Sequence, residues 1–180
     1  AEIQQSYVAA GSRIVYAPTF GANRQKLEER GVFNQTEEYN ARLVGLSRSA
    51  LGNSAWIAGD IAPTGLFLSP MGTASFEELV DIYTEQAAGL ASAGVDLFVI
   101  ETMMTLPDAR AAVLAVRSVS DKPILASFTC DENGRSLSGT DVTAALTVLQ
   151  GMGVDAFGLN CLSDIGTMVV QLRRLREFAR

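Results

Sequence analysis

Histidine is absent from the 180 residues. The side chain that most often carries general acid–base work is therefore missing, and no metal site with an imidazole ligand can be built from this chain. Cysteine is scarce: Cys130 and Cys161 stand far apart. They form no disulfide framework, and a reducing, cytoplasmic setting suits them. No apolar run approaches the length of a membrane span. The first ten residues, which include Glu2, Gln4 and Gln5, lack the basic start and apolar centre of a signal peptide. Blocks of one charge are also missing, and the net charge is −6, which argues against nucleic acid or an anionic membrane as partner. No Gly-x-Gly-x-x-Gly follows a strand and no P-loop lysine occurs, so nucleotides lose their usual evidence. Catalysis is left to carboxylates, cysteine, hydroxyls or a bound group.

What is present is an ordinary globular composition, 48% apolar and 19% charged, sized for a single domain over residues 1–180. Short runs rich in β-branched and aromatic residues read as strands at 12–17, 55–61, 95–100, 123–128 and 154–159. Helical spacing fills the intervals, for example Tyr39, Leu43, Leu46 and Ala50. Ser75 with Glu78 makes a capping box for a helix that stops at Gly94. Ser163 or Asp164 is expected to cap the last helix. The joint Ala93-Gly-Val-Asp-Leu-Phe98 recurs as Met152-Gly-Val-Asp-Ala-Phe157. Five strands alternating with helices define a parallel α/β fold. The repeated joint suits a (β/α) barrel, although a doubly wound sheet can also use it.

In such folds chemistry gathers at the carboxyl ends of strands. Those ends carry Thr19 and Asn23, Asp60 and Thr64, Glu101 and Thr102, Cys130 and Asp131, and Asn160 and Cys161. Glu101 follows an apolar strand, so its charge needs a partner. A bound ammonium group and a salt bridge to Arg135 or Arg110 are equally good readings. Asp60, before a proline-containing loop, reads as a cap for local backbone amides. Cys161, after Asn160, is either a soft ligand or a buried filler.

Several of these stretches together resemble the homocysteine S-methyltransferase domain. They are Thr19-Phe-Gly-Ala-Asn23, Gly59-Asp-Ile-Ala-Pro-Thr-Gly65, Val99-Ile-Glu-Thr102, the run from Phe128 to Thr140 (FTCDENGRSLSGT), and Gly158-Leu-Asn-Cys161. The resemblance covers essentially the whole chain and implies a (β/α)8 TIM barrel. It implies zinc held by three thiolates, of which Cys161 is the first, and homocysteine bound through its sulfur. Glu101 matches the carboxylate that holds the substrate amino group, with Thr19 and Asn160 lining the same pocket. The methyl donor is a corrinoid or another carrier on a separate domain or protein. No side chain is implied as a proton-transferring catalyst.

The departures from that pattern are specific. The adjacent Cys-Cys pair that supplies the other two thiolates is absent, as is the Asp-Gly-rich first strand. Pro18 stands where corrinoid-dependent members have Asn. Cys130 matches no ligand position. The strands correspond to about strands 2–6, so the expectation is a partial barrel without a competent metal site, inactive by itself. Its open sheet edges invite a homo-oligomer or the rest of a longer chain. A non-catalytic binding or assembly module is the alternative.

Overall fold

The computed structural model describes residues 1–32, 34–162 and 164–180. Among them, β1 (Ile14–Tyr16), β2 (Trp56–Ile61), β3 (Leu97–Met103), β4 (Ile124–Phe128) and β5 (Ala156–Leu159) alternate with helices. The helices are α1 (Glu2–Ala9), α2 (Arg24–Glu28), α3 (Thr36–Leu51), α4 (Phe76–Ser92), α5 (Leu106–Val119), α6 (Val142–Gly151) and α7 (Ile165–Phe178). All strand pairs are parallel, in the order β1-β2-β3-β4-β5. A doubly wound sheet reverses its strand order at a switch point. This one adds each strand beyond the last, as a barrel wall does.

The elements lie where the sequence pattern places them, with ends that differ by a few residues. Ser75 accepts from the Glu78 amide and Glu78 returns the bond, closing the capping box. Asp164 caps α7 through the Thr167 amide at 2.9 Å; the alternative cap, Ser163, lies outside the described residues. The largest difference is β3, which continues past Ile100 to Met103 through a register shift. The core forms between sheet and helices, with Ile57, Ile61, Phe98, Ile100 and Phe128 packed among Leu79, Tyr83, Leu90 and Leu149. Gly59 permits that approach in the middle of β2. A Cβ there would meet Leu90 Cδ1 at 3.0 Å.

The repeated joint does the same work twice. Gly94 and Gly153 end α4 and α6 at φ of +74° and +82°, conformations that L side chains rarely adopt. Two residues later, Asp96 Oδ2 accepts from the Ile57 amide at 2.7 Å and from Arg48 at 2.9 Å. Asp155 Oδ2 likewise accepts from the Ile124 amide at 2.8 Å and from Arg117 at 3.3 Å. The same arginines reach the carbonyls of Gly94 and Gly153. Each joint thus pins the amino end of the neighbouring strand, on the face opposite the strand ends where polar groups collect.

Asp96→Ala leaves the amide of fully buried Ile57 without its acceptor, and is expected to cost about 1–3 kcal/mol in urea unfolding. Arg48→Met removes the partly exposed ion pair and the bonds to the Gly52 and Gly94 carbonyls, leaves the Asp96–Ile57 bond in place, and is expected to cost about 1 kcal/mol or less. Equal losses in the two variants would contradict this assignment.

Candidate functional site

Polar side chains converge where β1, β2, β3 and β5 end. Thr19, just after β1, is fully buried. Its hydroxyl donates to the Asp60 carbonyl at 2.8 Å and accepts from the Asp60 amide at 3.0 Å. Behind it, the Gln86 amide donates to the carbonyls of Thr19 (2.9 Å) and Asp60 (3.3 Å), and Asn40 holds the Ala22 carbonyl at 2.7 Å. Asn23 caps α2 through the Lys26 amide. The loop after β1 is therefore locked to the end of β2 by buried hydrogen bonds. The next turn is braced from α4: the Tyr83 hydroxyl accepts from the Thr64 amide at 3.2 Å and donates to Asp108 Oδ1 at 2.7 Å.

Asp60 departs from its reading as a backbone cap. Its backbone, not its carboxylate, makes those bonds. The carboxyl is 5% exposed, and Oδ1 has no hydrogen-bond partner. Burial pushes it up from 3.8 to about 8, and the charge of Glu101 and a hydrogen bond to it add to the rise. The phenol of Tyr16, at the end of β1, is raised by burial and then by Glu101 and Asp60. The charge of Glu101 thus bears on both Asp60 and Tyr16, and a nearby like charge disfavours ionisation of an acid.

Glu101 makes no ion pair among the described residues. Arg110 lies over the Phe76 ring, 5.6 Å from its centroid. Arg135 turns back to the Gly139 carbonyl at 3.1 Å. Instead, Asn160 Nδ2 donates to Glu101 Oε1 at 3.3 Å and to the Thr102 hydroxyl at 2.7 Å. Asn160 Nδ2 also lies 3.6 Å from the sulfur of Cys161, and the Thr102 hydroxyl lies 3.9 Å from it. Cys161 is exposed, so it is not a core filler. Thr102 and Cys161 both have positive φ, 60° and 53°. Such strained backbone in non-glycine residues concentrates at functional sites.

A carboxylate at a strand end can accept from a cationic group, and an exposed sulfur can act as a soft ligand. The arrangement does not form a zinc centre by itself. Among the described residues no three His, Cys, Asp or Glu converge. Cys130 sits apart against Val142, Leu146 and Leu175, and its thiol is pushed up by burial and then by Asp131. One thiolate does not fit an ion that takes three or four protein ligands.

Comparison with known proteins gives the class of fold and then the family. The chain superimposes on the homocysteine methyltransferase MmuM from Escherichia coli. The TM-score is 0.84 for the metallated form, at 19% identity over 99% of this chain and 67% of that one. For the apo form it is 0.72, at 18% identity over 99% of this chain and 66% of that one. At that identity the likeness is one of fold, and the five strands are part of a (β/α)8 barrel. The homocysteine S-methyltransferase family model matches residues 1–180, and the chain belongs to that family. It is 30% identical to methionine synthase of Mycobacterium tuberculosis and 29% to that of Mycobacterium leprae, each over 189 aligned residues and 99% of the chain. The chain spans 16% of the length of these two relatives.

Reasoning from sequence singled out Glu101, Asn160, Cys161 and Thr19, and the first three lie together at the ends of β3 and β5. It named Thr102 only as a polar group at a strand end, without a role, and passed over Ser127. Ser127 carried a visible signal, a hydroxyl inside the otherwise apolar run ILASF.

An acid whose folded-state pKa is raised gives its full stability below the unfolded value and loses it as pH rises toward the folded one. For Asp60 that window runs from 3.8 to about 8. Urea unfolding across it is expected to show Asp60→Asn gaining on the wild type with rising pH, by up to about 1.4 kcal/mol per unit. A pH-independent difference would show that Asp60 is not held protonated.

Proposed function

We propose that this barrel segment binds homocysteine for transfer of a methyl group to its sulfur, giving methionine. The observation that carries the reading is the convergence of the Glu101 carboxylate, Asn160 and the exposed Cys161 sulfur at adjoining strand ends. Family membership and the likeness to methionine synthases support it.

In this reading Glu101 receives the substrate ammonium group. A charge-assisted hydrogen bond there is worth more than a neutral one. Thr19, whose hydroxyl is engaged with Asp60, serves the substrate through the main chain of the loop it anchors. Asn160 lines the pocket between ammonium and sulfur. A thiol reacts as its thiolate, so the substrate sulfur needs a group that takes its proton's place. Cys161 would be one thiolate ligand of zinc only alongside further ligands that the described residues do not supply. The activated methyl group comes from a corrinoid or another carrier on a separate domain or protein. Glu101 orients the amino acid and transfers no proton.

A second reading, a barrel-derived binding module without catalysis, is favoured only by the single thiolate. Homocysteine bound without methyl transfer by the polypeptide as its gene encodes it would establish that reading.

Glu101→Gln is expected to raise the dissociation constant for homocysteine about tenfold to a hundredfold, the range for a hydrogen bond to a charged group. Binding of 4-sulfanylbutanoic acid, which lacks the amino group, should be unchanged. Equal weakening of both ligands would remove the ammonium role. Zinc content of the gene-encoded polypeptide is expected near one per chain, lost in Cys161→Ser and kept in Cys130→Ser. Zinc retained in Cys161→Ser would overturn the ligand assignment.

A further inference from the structure

Where β3 meets β4, Ile100 pairs with Ala126 and Met103 with Phe128. Glu101 and Thr102 therefore stand opposite one residue, Ser127. This is a bulge, which takes two residues out of the ladder and re-aims their side chains. On its other side Ser127 pairs with Gly158, which has no side chain to fill the space.

The Ser127 hydroxyl takes over what the ladder has lost. It accepts from the Thr102 amide at 3.2 Å and donates to Asn160 Oδ1 at 3.0 Å. With its oxygen held there, the Asn160 side chain has one orientation, its NH2 directed to Thr102, Glu101 and Cys161. Ser127 is 6% exposed, and its hydroxyl bonds to Thr102 and Asn160 and not to the sulfur. We infer that Ser127 is a positioning residue for both arms of the site, aligning Glu101 and Cys161 through Asn160 and Thr102. The functional meaning of this inference rests on the proposed homocysteine reading. The geometry that it assigns does not.

The test needs neither metal nor homocysteine, so its failure is separable from failure of the proposed function. Cys161 and Cys130 are alkylated by iodoacetamide at a fixed pH with a chelator present, and each rate is followed by mass spectrometry. Cys130 reports general loosening of the fold. Ser127→Ala frees Asn160 to turn its donor away from the sulfur. The ratio of the Cys161 rate to the Cys130 rate is expected to fall about three- to tenfold, the scale of one hydrogen bond. Thr102→Val, which removes the hydroxyl that accepts from the other end of the Asn160 amide without touching the interior of β4, should give the same selective fall should Ser127→Ala not fold. Thr102→Ser keeps the hydroxyl and should restore the ratio. A ratio unchanged in the folded variants, a rise in Cys161 reactivity, or a parallel change in both thiols would make Ser127 a structural prop only and overturn the inference.

Discussion

A parallel strand covered on both faces can place polar groups only at its ends, and the molecule is arranged around that restriction. The interiors of β2, β3 and β4 are fully or nearly fully apolar. Where polarity is unavoidable it is paired within the sheet, as at Ser127, or between loop and strand, as at Thr19 and Asp60. Buried polar groups without partners are costly. Asp60 Oδ1 is an exception among the described residues, and burial together with the charge of Glu101 raises the pKa of its carboxyl.

The two ends of the sheet differ in kind. At the amino end, Asp96 and Asp155 hold backbone amides of neighbouring strands and accept arginines from the preceding helices. Both carboxylates there are paired, and the result is fixed spacing between strands. At the carboxyl end, burial and the charge of Glu101 hold Asp60 and Tyr16 toward their neutral forms, and Thr102 and Cys161 have unfavourable backbone angles. Stability accumulates at one end and strain at the other, as in barrels whose chemistry is confined to one rim.

Much of the fold was legible in the sequence because its signals are local. The capping box at Ser75, the glycine stops at Gly94 and Gly153, and the continuous apolar run of β3 each follow from a few adjacent residues. The repeated Gly-Val-Asp joint was visible, but its purpose was not, because the amides that it holds belong to strands some 30 to 40 residues earlier. The site was partly legible for the same reason. Glu101 stands out at the end of an apolar run. Its freedom from Arg110 and Arg135 depends on where those arginines go in space. The bulge was hidden because Glu101 and Thr102 look like the first residues of a loop. Only pairing with β4 shows that the strand resumes at Met103.

That bulge also bears on how the chain tolerates change. Side chains in a strand alternate between faces, and a shift of one residue exchanges the faces. Ile100 and Met103 are three residues apart yet face partners only two apart, Ala126 and Phe128, so the bulge is what keeps fully buried Met103 on the face of Ile100. Deletion of Glu101 or Thr102 would leave an ordinary ladder with Met103 still opposite Phe128. The extra residue serves the rim of the sheet alone, and the packing of the strand does not require it.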